Sequence, residues 1–144
     1  MMDVASYGSG CRVISSTSRD EQHPPVNMID GYLSTFWCST GLFPHEFIIQ
    51  FESNAKINGL KLECSDVKDI MIEKTEFDNV NDFQPLAEKT LPATNGSLQQ
   101  HSFNFPETEA RHLRFIIKSG YTSFVSVHHV SVDGTFTVRT DRFR

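Results

Sequence analysis

The chain has 144 residues, of which 38% are hydrophobic and 22% charged; this matches one globular domain and excludes a disordered chain. Lys and Arg number 13 against 18 Asp and Glu, so the formal net charge is -5 and a nucleic-acid-binding surface, which needs excess cations, is not expected. No run approaches the roughly 20 apolar residues of a membrane-spanning helix.

Alternation of apolar and polar residues, typical of half-buried strands, recurs along the chain. In chain order it predicts strands within 11–18, 45–51, 60–65, 69–77, 102–105, 112–118 and 124–135. Turn markers separate these segments, and no segment has an apolar helical stripe for three turns. About eight short strands predict an all-β fold, an antiparallel β-sandwich jelly roll. We expect one domain over residues 1–136, followed by a tail at 137–144 that is either disordered or reaches a partner.

Two breaks occur in the alternation. Ile57 is out of phase with Leu60, and the intervening pair Asn58-Gly59 predicts either a β-bulge or a tight turn. The parity of the valines also changes across His128-His129, where a bulge would turn a backbone carbonyl away from the sheet.

The three cysteines, Cys11, Cys38 and Cys64, are an odd number spread widely, which argues against a disulfide framework. The first ten residues, MMDVASYGSG, show neither the basic nor the apolar region of a secretory signal. We therefore expect free thiols in a reducing, intracellular compartment.

The most informative segment is HPPVNMIDGYLSTFWCST, at 23–40. Pro24-Pro25 stiffens its start, residues 27–30 form one predicted helical turn, and Gly31 can end that turn in a left-handed conformation. The loop then offers a carboxylate, a hydroxyl and backbone carbonyls. Such oxygens are what hard cations such as calcium prefer, usually six to eight of them.

The pattern Asn27-x-x-Asp30-Gly31-x-x-x-Thr35-x-Trp37 resembles the first-loop signature of discoidin-type, galactose-binding-like jelly rolls. Residues 110–117 and 126–134 resemble their closing strands. Within that superfamily, nearly the whole chain, from about Cys11 to Thr135, resembles a family of small non-enzymatic subunits of the ciliary intraflagellar transport B complex.

The resemblance implies a structural calcium ion at the first loop, held by Asn27 through its carbonyl, by Asp30 through its carboxylate and by Thr35. The Tyr32 carbonyl and a carbonyl near His128 are further candidates. Many discoidin-type lectins have a Glu ligand where His129 stands in this chain, and a neutral imidazole is a poor ligand for a hard cation. We therefore expect modest affinity and a structural role.

The resemblance also implies a heterodimer with a Rab-like small GTPase, intraflagellar transport protein 27, and contacts with other complex B subunits. The expected role is the transport of signalling cargo, with the protein in the cilium and cytoplasm and not secreted. No small-molecule substrate is expected. The partner surface stays open, since sandwich domains bind through loops or through one open sheet face.

Three other functions are weighed against this one. A carbohydrate-binding, lectin-like module would use Trp37 as its platform, but the position of Trp37 in an alternating strand predicts a core residue. A membrane-binding module would need Leu42-Phe43 as an apolar spike, whereas we expect both to pack under a neighbouring loop. Enzyme motifs such as CxxC, HExxH and GxSxG are missing from the sequence, so no catalytic activity is expected.

Overall fold

A computed structural model describes residues 2–17, 22–32, 34–39, 42–76 and 81–137. The strands in these ranges are β1 (Met2–Asp3), β2 (Arg12–Ser16), β3 (Trp37–Cys38), β4 (His45–Ser65), β5 (Val67–Thr75), β6 (Gln84–Thr90), β7 (Gln99–Gly120) and β8 (Ser126–Phe136). Short 3-10 turns occupy Tyr7–Ser9 and Pro25–Met28. Every strand pair is antiparallel, which confirms the predicted all-β class. In these ranges no helix has the length and apolar character that crossing a bilayer requires.

The strand order is β1-β8-β4-β7-β5-β6, with β2 paired to β4 and β3 paired to β8. The two central strands, β4 and β7, are 21 and 22 residues long. The first part of β4 pairs with β2 and with residues 112–117 of β7, and its second part pairs with β8 and with residues 99–110 of β7. The prediction of separate short strands is therefore wrong here. Segments 45–51 and 60–65 belong to the one continuous strand β4, and segments 102–105 and 112–118 belong to the one continuous strand β7.

Bulges explain why turn residues occur inside these long strands. Ile57 lies opposite Thr108 while Gly59 lies opposite Asn104, so residues 105–107 of β7 face a single residue of β4. Pro106, which has no N–H to donate, falls in this unpaired stretch. The register of β4 against β8 also shifts, because Glu63 faces His129 while Cys64 faces Val127, which leaves His128 as an extra residue. The bulge predicted at 128–129 is confirmed, and of the two alternatives at Asn58-Gly59 the structure has the bulge.

The hydrophobic core forms around a stack of two phenylalanines. The Phe47 and Phe115 rings lie 4.8 Å apart at an interplanar angle of 11°. Trp37 packs edge-on against Phe47 at 5.5 Å and is fully buried, as predicted. The inward faces of the predicted strands are confirmed by the buried residues Ile49, Phe51, Leu60, Leu62, Phe103, Leu113 and Ile117.

All three cysteines are free thiols, as expected, but their surroundings differ. Burial raises the pKa of Cys11 to about 12, with a smaller contribution from the nearby Asp3 carboxylate. Burial alone raises the pKa of Cys64 to about 12. Cys38 is only half-buried. The two buried thiols therefore serve as small apolar groups of the core.

We predict that alkylation of the native protein with iodoacetamide at pH 8 modifies Cys38 and leaves Cys11 and Cys64 unmodified. The thiolate is the reactive form, and at a pKa of about 12 its fraction is on the order of 10⁻⁴ at this pH. Peptide mass spectrometry of native and urea-unfolded samples measures the difference. Rapid labelling of Cys64 in the native protein would contradict its placement in the core.

Candidate functional site

The described residues before β3, at 23–32 and 34–36, form a compact loop in which the two prolines come early. Pro24 is extended and Pro25 opens the 3-10 turn, whose Asn27 N–H donates to the Pro24 carbonyl at 3.0 Å. The turn lies at 25–28, not at the predicted 27–30, because the fixed φ of Pro25 suits the first position of a helical turn. Gly31 follows with φ of +88°, the left-handed conformation predicted for it.

Asp30 and Thr35, two of the predicted ligands, meet directly. The Thr35 hydroxyl lies 2.9 Å from Oδ1 and 2.6 Å from Oδ2 of Asp30, and 3.1 Å from the Tyr32 carbonyl oxygen. Asp30 Oδ1 also accepts a hydrogen bond from the Tyr32 N–H at 2.9 Å. Four oxygen atoms therefore lie close together: both carboxylate oxygens of Asp30, the Thr35 hydroxyl and the Tyr32 carbonyl oxygen.

Asn27, the third predicted ligand, has a different position in the loop. Its side-chain amide donates to the Phe36 carbonyl at 3.1 Å, so it ties the start of the loop to its end. This bond leaves the metal role predicted for Asn27, which uses its backbone carbonyl, untested.

The Phe36 ring holds the loop against strand β8. It stacks on His23 at 4.2 Å and on His128 at 4.8 Å, so one phenyl ring lies between two imidazoles. His128 is the extra residue of the β8 bulge, and its Nε2 lies 3.1 Å from the Ser126 hydroxyl. The bulge thus brings His128 to the loop. Sequence reasoning missed this contact, whose only signal was the parity change at 128–129.

His129 lies apart from this stack. It faces Glu63 across the strand pair and lines a groove of about 540 Å³ together with Lys61, Gln100, Ser102 and Ser131. Its Nδ1 is buried and has no hydrogen-bond partner in the described chain. The neighbouring Glu63 carboxylate accepts a hydrogen bond from the Gln100 amide at 2.8 Å. At this position of β8 the chain therefore has an imidazole and not a carboxylate, and the facing Glu63 is bonded to Gln100.

The donor set of the loop fits a hard cation in type. Its atoms are two carboxylate oxygens, one hydroxyl and one carbonyl, all of which prefer calcium to softer metals. Among the described residues no group of three or more His, Cys, Asp or Glu side chains could hold a metal. A cation here would depend on one carboxylate plus neutral oxygens and water.

In the neighbouring loop, 42–44, Phe43 packs against other residues as predicted, whereas Leu42 does not. Phe43 packs against the core, and its ring occupies the space that a side chain at Gly120 would need. Leu42 does not pack under a loop as expected, because it is 91% exposed. Trp37 has no exposed surface to offer a sugar, whereas Tyr32 is 66% exposed.

Comparisons with known proteins give consistent results. The family model of the F5/8 type C domain matches residues 13–130. Intraflagellar transport protein 25 homolog from Mus musculus is 44% identical over 133 residues, which cover 92% of this chain and 93% of the mouse protein. The Homo sapiens homolog is 42% identical over 134 residues, 93% of each chain. Intraflagellar transport protein 25 from Chlamydomonas reinhardtii is 34% identical over 93% of this chain and 70% of that protein.

Solved structures share the fold at low sequence identity. A putative chitobiase fragment from Bacteroides thetaiotaomicron superposes with a TM-score of 0.81 at 18% identity, covering 96% of this chain and 94% of that one. A family 32 CBM from Clostridium perfringens, solved in complex with galactose, gives a TM-score of 0.75 at 18% identity over 86% and 93% of the two chains. At such identities the likeness is one of fold.

We predict that Gly31→Ala lowers the free energy of unfolding by about 1 kcal/mol, because a side chain at this left-handed position is strained. A steric clash is not the cause of this loss, since no atom lies within 4 Å of a Cβ added at Gly31. Gly8→Ala is the matched control, because its Cβ would also be free of contacts and its φ lies outside the left-handed range. Urea unfolding measures both. Equal effects of the two substitutions would contradict the assigned loop geometry.

Proposed function

The chain belongs to the intraflagellar transport protein 25 family, which has the F5/8 type C fold, and from this membership we propose that it is a non-enzymatic subunit of the ciliary intraflagellar transport complex B. The observation that supports the proposal is similarity along the whole length, because 92% of the chain aligns with 93% of the mouse protein. A fold alone would not support it, since this fold serves many functions.

The proposed molecular role is that of an adaptor that binds other proteins. We propose that the chain forms a heterodimer with a Rab-like small GTPase, intraflagellar transport protein 27, and that the pair supports transport of signalling cargo in the cilium. The Phe36–His128 stack joins the loop to strand β8, and the Phe47–Phe115 stack joins β4 to β7 in the core. Contacts that hold a surface in place before a partner binds lower the entropy cost of binding.

Co-expression with this GTPase, followed by size-exclusion chromatography at micromolar concentration, tests the heterodimer. We expect co-elution in a 1:1 complex, and a GTPase from another Rab branch as the control should elute separately. Independent elution of the two proteins would overturn the proposed heterodimer.

We also propose that calcium binds the loop as a structural ion. The Asp30 carboxylate, the Thr35 hydroxyl and the Tyr32 carbonyl would bind it, and the Asn27 carbonyl is the further predicted ligand. The support is the convergence of three oxygens at 2.6–3.1 Å around the Thr35 hydroxyl. With Asp30 as the one carboxylate, we expect a dissociation constant of about 10⁻⁴ to 10⁻³ M, because calcium affinity in proteins rises with ligand charge.

Thermal unfolding in calcium and in chelator tests the ion site. At a tenfold excess over the dissociation constant, binding adds about 1.4 kcal/mol, which raises Tm by roughly 3–6 °C for a chain of this size. Asp30→Asn should abolish the difference between calcium and chelator, and Thr35→Val should reduce it. Asp133→Asn is the matched control, because Asp133 is an exposed residue of β8 whose substitution should leave the difference unchanged.

Two outcomes would contradict the calcium proposal in different ways. An unchanged calcium-dependent shift in Asp30→Asn would show that the ligand set is wrong. Sub-micromolar binding to the wild-type protein, measured by calorimetry, would show that the site is not a weak structural one.

A further inference from the structure

The chain contains the dipeptide Asn-Gly twice, at Asn58-Gly59 and at Asn95-Gly96. Asparagine is chemically labile, and it reacts most readily with its own backbone when glycine follows it. The reason is that glycine has no Cβ to obstruct the approach of its nitrogen to the side-chain carbonyl carbon of the asparagine. Whether each pair reacts in the folded protein depends on the backbone around it, so the fold discriminates between the two pairs.

The reaction is deamidation through a five-membered ring. The backbone nitrogen of the glycine attacks Cγ of the asparagine. The N–Cγ bond forms, the Cγ–Nδ2 bond breaks, and ammonia leaves with the amide proton. Water then opens one of the two C–N bonds of this succinimide, which gives aspartate or isoaspartate. The net change replaces a side-chain amide by a carboxylate and releases ammonia, with water as the co-reactant.

Asn95 and Gly96 form the centre of an exposed turn. The Ser97 N–H donates to the Thr94 carbonyl at 3.3 Å, and the Ser97 hydroxyl donates to the same carbonyl at 3.0 Å. The φ angle is +53° at Asn95 and +97° at Gly96, and positive values at both central residues are typical of a type I′ turn. The bonds that close the turn therefore use its outer residues and engage neither the Asn95 amide nor the Gly96 N–H.

The surroundings of this turn leave room for the attack. Rotation about the Cα–C bond of Asn95 is needed to bring the Gly96 nitrogen toward Cγ. Even a Cβ added at Gly96 would meet no atom within 4 Å, so neighbouring groups do not oppose this rotation. The hydrogen bonds of the turn are exposed to water, and such bonds open at a low free energy. The turn can therefore reach the reactive geometry while the rest of the domain stays folded.

Buried residues fix the chain on both sides of the turn. Leu91 is fully buried, and its N–H donates to the Lys68 carbonyl at 2.8 Å. The side-chain amide of the buried Gln99 donates to the Pro92 carbonyl at 3.0 Å, which joins the segment that enters the turn to the segment that leaves it. A change at Asn95 is therefore confined to residues 92–98, and we expect the product to stay folded.

Asn58-Gly59 has the opposite setting. Gly59 lies within β4, opposite Asn104 of β7 on one side and Asp133 of β8 on the other. It is buried, and a Cβ added there would lie 3.2 Å from the Phe103 carbonyl oxygen. Rotation of the Asn58 backbone would disturb the pairing of β4 with both neighbours. Central strands open only at free energies close to that of global unfolding, so the exposed Asn58 side chain is held away from the reactive geometry.

We propose that Asn95 is a modification site at which the folded protein deamidates by attack of the Gly96 nitrogen, and that strand pairing protects Asn58 from the same reaction. The product has one more negative charge than the chain with its formal net charge of -5. In the isoaspartate product the backbone of the turn is also longer by one atom. The modification therefore yields a second, more acidic form of the folded protein.

Incubation of the wild-type protein at pH 8 in heavy-oxygen water, followed by digestion in ordinary water and peptide mass spectrometry, tests this site. The water that opens the succinimide leaves its oxygen in the new carboxylate, so the label marks conversion that precedes digestion. In the native protein we expect Asn95 to convert at least about tenfold faster than Asn58, because strand opening limits only the second reaction. In urea the two rates should agree within about threefold, since neither turn nor strand remains.

Anion-exchange chromatography of the incubated protein gives a second readout. Asn95→Gln should remove the first acidic form to appear, because the ring that a glutamine side chain would form has six members and closes slowly. Asn58→Gln is the matched control and should leave that form unchanged. Equal rates at Asn58 and Asn95 in the native protein would overturn the proposed protection. Conversion of Asn95 in urea but not in the native protein would overturn the proposed site.

Discussion

The pairing of β4 with β7 is the constraint on which the rest of the structure depends. Each strand runs through both halves of the sandwich, so the register of one half sets the register of the other. A slip of β7 by one residue would move Phe115 from the core to water and break its stack on Phe47. It would also bury Arg114 in its place. The same ladder therefore determines both which side chains form the core and which form the outer surface.

The loop depends on this ladder through the bulge in β8. The extra residue, His128, stacks on Phe36, and Phe36 stacks on His23. Aromatic pairs contribute about 0.5–1.5 kcal/mol each beyond the area that they bury. The two stacks together are therefore comparable with the 1.4 kcal/mol that a tenfold excess of a weakly bound calcium ion would add. Hydrogen bonds within the chain also join Thr35 to Asp30, so the proposed ion would act on the same contacts that these groups make themselves.

The sequence predicts local features better than long-range ones. Period-two alternation correctly placed inward residues such as Ile49 and Leu113, because it follows directly from strand geometry. The same reasoning divided the long strands, since turn-forming residues are equally suited to bulges, and only the partner strand decides between the two. The meeting of Asp30 with Thr35 could be predicted because five residues separate them. The stack of Phe36 on His128 could not, because it joins residues far apart in the chain.

The net charge of -5 lies mostly outside the loop. The loop has a single carboxylate, from Asp30, and the oxygens that meet it, the Thr35 hydroxyl and the Tyr32 carbonyl, are neutral. Because calcium affinity in proteins rises with ligand charge, a cation here would be held weakly. Such an ion would act on the segment that the Phe36–His128 stack joins to β8, which is why its proposed role is structural.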